Sequence, residues 1–173
     1  MIRTVLRSGD PALRKKSKPV VQIDKKISNL ITDLKDTLVN HKDPEGVGLA
    51  APQIGKNLRL FVILDNKKIT TIINPKIIKI EKNTSKKKKT KLLEGCLSVP
   101  HFYGPLTKPD SVTLTYMNEN GQILTHKFEG FKAQIILHEI DHLNGVLFID
   151  DIIANDQPLY EQNKSGEWKE VEL

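Results

Sequence analysis

The sequence predicts a single soluble globular domain that combines helices with antiparallel strands. The chain has 173 residues, of which 38% are hydrophobic and 28% are charged, a balance typical of a folded domain with its own core. Its apolar residues follow helical spacing in two segments and strand-like runs in several others. No apolar run is long enough to span a bilayer, and the N-terminus does not resemble a secretion signal. The chain has a single cysteine, so it cannot form an intrachain disulfide. We therefore expect a cytoplasmic protein with no membrane contact.

The first helix is predicted to begin after Asp24, which can cap it, and to end near Asn40. Apolar residues between these two positions follow helical spacing, with charged residues on the other face. The next segment, residues 46–55, reads GVGLAAPQIG and is rich in glycine and alanine. It predicts either a loop whose backbone approaches another group closely or a plain connecting turn.

Strands are predicted in the middle of the chain. Residues 58–64 form a continuous apolar run, and residues 69–80 predict one or two strands interrupted by Pro75. Residues 111–118 and 122–128 predict a hairpin, because the sequence between them is typical of a tight turn.

A second helix is predicted over residues 131–144 and ends at Gly145. It is apolar nearly all round, which is typical of a buried helix. One stripe of this helix, with steps of four, three and four residues, consists of Phe131, Ile135, His138 and His142. A metal bound by these histidines would therefore lie at the base of an apolar pocket.

The second helix carries the motif HEIDH, whose residues suit metal-assisted hydrolysis. His138 and His142 are four residues apart, so that their imidazoles lie on one helix face and can bind one divalent metal. Glu139 lies beside the first ligand, where a carboxylate can move the protons of an attacking water. Two polar residues on a partly buried helix are the alternative interpretation.

A catalytic metal of this kind needs a third protein ligand. The position ten residues after His138 is Phe148, which excludes one known pattern. Glu161 is a candidate, but it lies in a polar, acidic segment. Cys96, in the run EGCLSVP, is the other candidate, since a thiolate is a good ligand for zinc or ferrous iron.

Three motifs, GVGLAAPQ, EGCLS and HEIDH, resemble in order and spacing the signature motifs of peptide deformylases of the bacterial or organellar type. The segment DPALRKKSKPV also resembles the opening of that family, and the similarity runs from about residue 5 to 152. The resemblance implies an α+β fold, with mixed, mainly antiparallel sheets packed around a central buried helix that carries the HExxH motif. It implies a catalytic domain at residues 1–152, followed by an acidic segment at 153–173 that we expect to be partly ordered.

The resemblance also implies the reaction, in which the N-formyl group is removed from formylmethionine of nascent polypeptides and formate is released. It implies that Cys96, His138 and His142 bind one divalent metal ion per chain, with Glu139 as the general acid and base. The family often carries Fe²⁺ in the cell and also binds Zn²⁺, Ni²⁺ or Co²⁺.

Further roles follow from the resemblance. Gln53 and the backbone N–H of Leu97 match the groups that stabilise the developing oxyanion. The positions implied to contact the substrate, through the backbone at the two glycines and by lining the methionine pocket at the others, are Val47, Gly48, Gly95, Phe131, Gln134 and Ile135.

Three residues depart from the family pattern. Tyr103 and Lys108 stand where arginines are common, so the resemblance does not predict the contacts to the peptide beyond its first residue. Gln134 is polar where an aliphatic residue is usual, and it could narrow or wet the methionine pocket.

The formal net charge of +6 is unevenly distributed, and it bears on partners. The segment 76–91 holds eight lysines and one acid, whereas the segment 151–173 holds six acids and two lysines. The four consecutive lysines Lys86, Lys87, Lys88 and Lys89 predict either a solvated loop or a weak contact with the ribosome. No motif for recognising a specific nucleic-acid sequence is visible.

Two other functions are compatible with these residues. A zinc peptidase would use Glu161 as the third ligand and would cleave internal peptide bonds. An inactive deformylase-like protein would instead bind the ribosome through its lysines, although the three intact motifs argue against it.

Overall fold

The structure is a computed structural model that describes residues 1–82 and 93–171. These residues form helices α1 (Lys25–Asn40), α2 (Gly130–Leu143) and α3 (Phe148–Ala154), with short 3₁₀ helices at Pro11–Arg14 and Ala51–Ile54. The strands are β1 (Gly48–Ala50), β2 (Leu60–Asp65), β3 (Lys68–Glu81), β4 (Leu93–Cys96), β5 (Val99–Pro105), β6 (Ser111–Met117), β7 (Ile123–Glu129), β8 (Leu159–Gln162) and β9 (Trp168–Val171). No helix within these two ranges has the length and apolar character that crossing a bilayer requires.

Two antiparallel sheets organise the fold. Five strands pair in the order β1-β2-β3-β6-β7, and four strands pair in the order β4-β5-β8-β9. Every pair of neighbouring strands is antiparallel. This mixture of helices and antiparallel sheets is what the sequence predicts.

Helices α1 and α2 cover opposite faces of the five-stranded sheet. Because side chains alternate along a strand, β2 contributes to both cores. Leu60 and Val62 pack in a cluster with α1, whereas Phe61 and Ile63 pack in a cluster with α2. Strand β1 and the first four residues of β2 are therefore buried, and the position of α2 is fixed by apolar packing.

The helices begin and end close to their predicted limits. The Asp24 side chain caps α1 by accepting a hydrogen bond from the Ile27 N–H at 2.9 Å. At the other end of the chain, α2 covers residues 130–143 and is followed by Gly145, whose φ is +76°. The predictions of both helices, and of the hairpin formed by β6 and β7, are confirmed.

The segment 46–55 is more regular than the predicted loop. Residues 48–50 form β1, which pairs with β2 through Gly48↔Ile63 and Ala50↔Phe61, and a 3₁₀ helix follows directly. A three-residue strand has no alternation that a sequence could reveal, and it is held by ladder hydrogen bonds to β2. The loop prediction is wrong for these residues.

Strand β3 continues across Pro75. The register with β6 shifts between Ile73 and Lys76, and Asn74 adopts a φ of +50°. A bulge of this kind places the proline where no ladder hydrogen bond is required of it. The predicted interruption is therefore an irregularity within one strand.

The C-terminal segment joins the smaller sheet. Strand β8 pairs with β5, and β9 pairs with β8. Much of the acidic segment at 153–173 is thus built into the fold, while the domain boundary at residue 152 stays a prediction. Lys86, Lys87, Lys88 and Lys89 lie outside the described residues.

Replacement of Gly145 tests how the end of α2 is held. A Cβ at this position would lie 2.5 Å from the Arg14 carbonyl oxygen, in addition to the strain of its positive φ. We expect Gly145→Ala to lower the free energy of unfolding, measured in urea, by about 2–4 kcal/mol. The matched control is Gly121→Ala, because Gly121 has a φ of +79° and no atom within 4 Å of the added Cβ. It should lose only about 1–2 kcal/mol; equal losses would show that contact with Arg14 does not matter.

Candidate metal centre

Three separate elements bring the candidate site together. Cys96 is the last residue of β4, and α2 contributes His138, Glu139 and His142. Gln53 comes from the 3₁₀ helix that follows β1. All five side chains are buried. Residues distant in sequence are thus held by a strand end, a buried helix and a tight turn.

One ligand atom from each of Cys96, His138 and His142 lies within 4.8 Å of the other two. The Cys96 sulfur is 3.2 Å from Nε2 of His142, which is itself 3.2 Å from Nε2 of His138. Glu161, the other candidate for third ligand, is exposed on β8 and does not belong to this group. The geometry therefore assembles the sulfur with the two imidazoles.

A carboxylate orients the first imidazole. Glu94 Oε1 lies 2.5 Å from Nδ1 of His138, so that Nδ1 donates a hydrogen bond to the carboxylate and Nε2 is the ring atom that faces the ligand group. Lys108 pairs with Glu94 at 3.5 Å and with Asp141 at 2.7 Å, and its side chain is 9% exposed. This buried chain of charges holds the ring of His138 in place.

Burial and neighbouring charges shift the pKa values in this chain. Burial disfavours the ionised form of Glu94, but His138 and Lys108 outweigh it and lower the pKa of Glu94. Burial likewise disfavours the cation of Lys108, but Glu94 and Asp141 raise the pKa of Lys108. Each group is therefore charged, and each depends on its neighbours.

The two histidines differ in their surroundings. Burial opposes protonation of His138, but the neighbouring Cys96 and Glu94 outweigh it and raise the pKa of His138 well above its ordinary value. Burial and the charge of His138 lower the pKa of His142 far below its ordinary value. Among the described residues, Nδ1 of His142 is buried without a hydrogen-bond partner.

Glu139 follows His138 on α2 as a buried carboxyl group. Its side chain is buried, and Oε2 has no hydrogen-bond partner in the part of the chain that the structure describes. Burial, together with the negative charges of Glu94 and Asp141, raises the pKa of Glu139 to about 7. A carboxyl group with a pKa near neutrality can both accept and return a proton. Gly48 leaves room for it, because a Cβ there would collide with Oε1 of Glu139.

Gln53 presents its amide to the ligand sulfur. Its Oε1 accepts a hydrogen bond from the Ala50 N–H at 2.8 Å, which fixes which end of the amide points inward. Nε2 then lies 3.6 Å from the Cys96 sulfur and 3.2 Å from Oγ of Ser98. This side chain is a donor held ready beside the candidate metal site.

The backbone of Leu97, the residue after Cys96, is held by Arg7 and by core packing. Arg7 donates a hydrogen bond to the Leu97 carbonyl oxygen at 3.1 Å, and the Leu97 side chain packs in the core with α1. The Ser98 N–H donates to the Cys96 sulfur at 3.4 Å. The peptide segment beside the ligand is therefore rigid.

A cavity of about 230 Å³ opens onto the site. Its wall includes Cys96, His138 and Glu139, together with Gln53 and Leu97. Every residue that the sequence implies for substrate contact lines it as well: Val47, Gly48, Gly95, Phe131, Gln134 and Ile135. Phe131 and Val47 are 56% and 39% exposed, which places them toward the mouth. The structure thus brings the predicted site residues to one pocket, except for His142, which lies beside its wall against His138.

The sequence analysis did not identify Glu94 or Arg7 as parts of the site. Glu94 lies within the motif EGCLS, but its contact with His138 joins residues 44 positions apart in sequence. Arg7 reaches Leu97 across 90 positions. Lys108, a departure considered for peptide contacts, instead forms ion pairs with Glu94 and Asp141. The only sequence signal for any of these contacts is that Glu94 lies in the same motif as Cys96, two residues before it.

The residues present fit a divalent metal. A thiolate and two imidazoles suit zinc, iron, nickel or cobalt, and three protein ligands are usual where a further position serves catalysis. Nε2 of His142 faces the other two ligand atoms, as a metal ligand would. Its Nδ1 is buried and makes no hydrogen bond to a described residue.

Comparison with known proteins identifies the relatives of this chain. The family described as polypeptide deformylase matches residues 2–158. Peptide deformylase 2 of Clostridium acetobutylicum is 44% identical over 149 residues, which cover 86% of this chain and 94% of the relative.

Solved structures agree. The crystal structure of a peptide deformylase from Legionella pneumophila matches with a TM-score of 0.77 at 40% identity, covering 87% of this chain and 85% of that one. The peptide deformylase from Thermotoga maritima matches with a TM-score of 0.78 at 37% identity, covering 87% of this chain and 97% of that one.

Neutralising Glu94 tests its hold on His138. We expect Glu94→Gln to weaken metal binding about 10- to 100-fold, because the ring loses its charged partner. Competition with a chromophoric zinc chelator measures this affinity. Glu161→Gln makes the same chemical change on the exposed strand β8 and should have no effect. A loss confined to Glu161→Gln would support Glu161 as the ligand.

The buried Glu139 should also make stability depend on pH in the metal-free protein. Its pKa is about 7 in the folded state against an ordinary value of 4.5, so ionisation penalises folding as pH rises between these values. We expect metal-free Glu139→Gln to match the wild type near pH 4.5. Above pH 7 the variant should be more stable, by up to about 3 kcal/mol. Urea unfolding of both proteins across this range measures the gap, and a gap independent of pH would contradict the assignment.

Proposed function

This chain belongs to the polypeptide deformylase family and acts on formylated nascent peptides as a hydrolase, and we propose that its reaction takes place at Cys96, His138 and His142 with Glu139 as proton carrier. The single observation that carries the proposal is the convergence of one sulfur and two imidazoles beside a buried carboxylate oxygen that has no hydrogen-bond partner among the described residues.

Cys96, His138 and His142 would hold one divalent metal ion. A cation bound there acts as a Lewis acid on the formyl oxygen and lowers the pKa of water. We propose Fe²⁺ as the ion used in the cell, with Zn²⁺, Ni²⁺ and Co²⁺ as ions that the same ligands accept. Glu94 supports the arrangement by keeping Nε2 of His138 directed at the ion.

Glu139 moves the protons of the reaction. Its Oε2 accepts a proton from the attacking water and returns it to the nitrogen of the leaving amine. The pKa of about 7 suits both steps, since the carboxyl group is neither held in its ionised form nor permanently protonated. Burial in the cavity wall keeps bulk water from competing for that proton.

Gln53 and the backbone N–H of Leu97 stabilise the negative charge that develops on the formyl oxygen. The Gln53 amide is preoriented by Ala50, so that its Nε2 donates without reorganisation. Leu97 is held by Arg7 through its carbonyl oxygen, which fixes the direction of the peptide.

The formylmethionine side chain occupies the cavity of about 230 Å³. Ile135, Phe131 and Val47 supply apolar surface, which suits an unbranched thioether side chain. Gln134 adds one polar group to the wall. The backbones of Gly48 and Gly95 contact the peptide itself.

We propose α2 as the central helix of the catalytic domain, at residues 1–152, with residues 153–173 as a C-terminal segment. Nine of the fourteen residues of α2 are buried, which supports this position. We also propose a cytoplasmic location, which fits an enzyme of nascent chains. Contact with the ribosome through Lys86, Lys87, Lys88 and Lys89 is a further proposal, based on their charge.

Removal of the Glu139 carboxylate tests the assigned role. We expect Glu139→Gln to keep its metal and to lose at least about 100-fold in kcat for formate release from formyl-Met-Ala-Ser, because no group then carries the proton. Metal analysis and a formate assay measure the two quantities, and Glu161→Gln serves as the control. A fully metallated Glu139→Gln variant with a rate near that of the wild type would show that another group is the base.

A further inference from the structure

The C-terminal hairpin β8–β9 reaches an aromatic side chain of the candidate site. Trp168 on β9 lies against Tyr103 on β5, with ring centroids 5.1 Å apart and planes at 72°, an edge-to-face contact. Tyr103 lines the cavity that opens onto the metal ligands. The hairpin therefore contacts the wall of the substrate pocket, although the family match ends at residue 158.

A glycine lets Tyr103 take this position. Gly95 pairs directly with Tyr103 across β4 and β5, and a Cβ on Gly95 would lie 2.6 Å from the Tyr103 ring. The ring therefore lies over Gly95 of β4, a strand whose other edge pairs with no described strand. A peptide that contacts the backbone of Gly95 from this free edge, as the proposed function has it, would pass beside the ring.

Tyr103 is partly buried and lies near the negative charge of Asp43. Burial, with a contribution from the negative charge of Asp43, raises the pKa of Tyr103, so the phenol stays neutral. Trp168 is 49% exposed, so part of its ring remains free beside Tyr103. Together the two rings offer apolar surface at the edge of the pocket.

We propose that Tyr103 is a specificity-determining residue and that Trp168 is its positioning residue, the pair forming an aromatic wall that favours substrates with an apolar or aromatic side chain in the two residues after formylmethionine. The inference rests on the proposed function. It concerns the part of the peptide that leaves the methionine cavity along Gly95.

The expected preference is modest. An aromatic contact of this kind changes kcat/KM by about 2- to 10-fold, and the change falls mainly on KM because the contact lies away from the reacting bond. Trp168 acts by keeping the Tyr103 ring over Gly95, so its loss should reduce the preference without preventing the chemistry.

The test compares three peptides: formyl-Met-Ala-Ser, formyl-Met-Phe-Ser and formyl-Met-Ala-Phe. The wild type should have a higher kcat/KM for at least one of the two peptides that contain phenylalanine than for formyl-Met-Ala-Ser. In Trp168→Ala the ratio of kcat/KM values should fall toward 1 through a rise in KM for that peptide, and Trp168→Phe should restore it. Ile123→Ala, which truncates an exposed side chain of β7, should leave the ratio as in the wild type.

The outcomes separate the two proposals. A wild type without preference, or a Trp168→Ala variant that loses activity equally on all three peptides, would overturn the aromatic wall while leaving the deformylase reaction intact. Failure of the metallated wild type to release formate from any peptide would overturn the proposed function instead.

Fluorescence gives a second measurement, independent of catalysis and of any variant. Trp168 is the only tryptophan of the chain, so intrinsic emission reports on this site alone. The deformylated peptide that corresponds to the favoured substrate should change the emission of the wild type on titration, and Met-Ala-Ser should change it less. Equal changes, or none, would contradict the proposal.

Discussion

The approach of the Cys96 sulfur to the imidazoles of His138 and His142 is the contact on which the rest of the site depends. It joins the end of a strand to a helix that begins more than thirty positions later in the chain. Neither element could hold this geometry alone, because a strand end frays and an isolated helix of 14 residues is marginal in water. Packing of α2 against the five-stranded sheet supplies the rigidity, since its buried face is fixed by side chains from β2, β3 and β6.

Burial of the ligands has an electrostatic cost that the surrounding charges offset. Glu94, Lys108 and Asp141 form a chain in which each charge has an opposite neighbour. Removing one member would leave the next uncompensated in a region of low dielectric. The same burial raises the pKa of Glu139 toward neutrality, which makes a carboxyl group useful for proton transfer. Burial is therefore the cause both of the electrostatic cost at the ligand group and of the raised pKa of Glu139.

Small residues determine how closely the backbone approaches this centre. Gly48 leaves space for the Glu139 carboxylate, and Gly95 leaves space for the Tyr103 ring. A side chain at either position would occupy space that the Glu139 carboxylate or the Tyr103 ring now fills. Gly48 of the motif GVGLAAPQ and Gly95 of the motif EGCLS thus have a steric explanation. The Tyr103 ring that lies over Gly95 also contacts Trp168, which belongs to the C-terminal hairpin of the smaller sheet.

The sequence by itself determined the elements with strong local signals. The cap at Asp24, the turn between β6 and β7, and the apolar helix with two histidines four residues apart are all encoded by near neighbours, so they could be predicted. Family motifs identified Cys96, Gln53 and Glu139. Only the tertiary structure decided that residues 48–50 form a strand, that Glu94 orients His138, that Lys108 is buried in ion pairs, and that Trp168 contacts Tyr103. These contacts join positions far apart in the chain, and pairing between distant segments leaves no period in the local sequence.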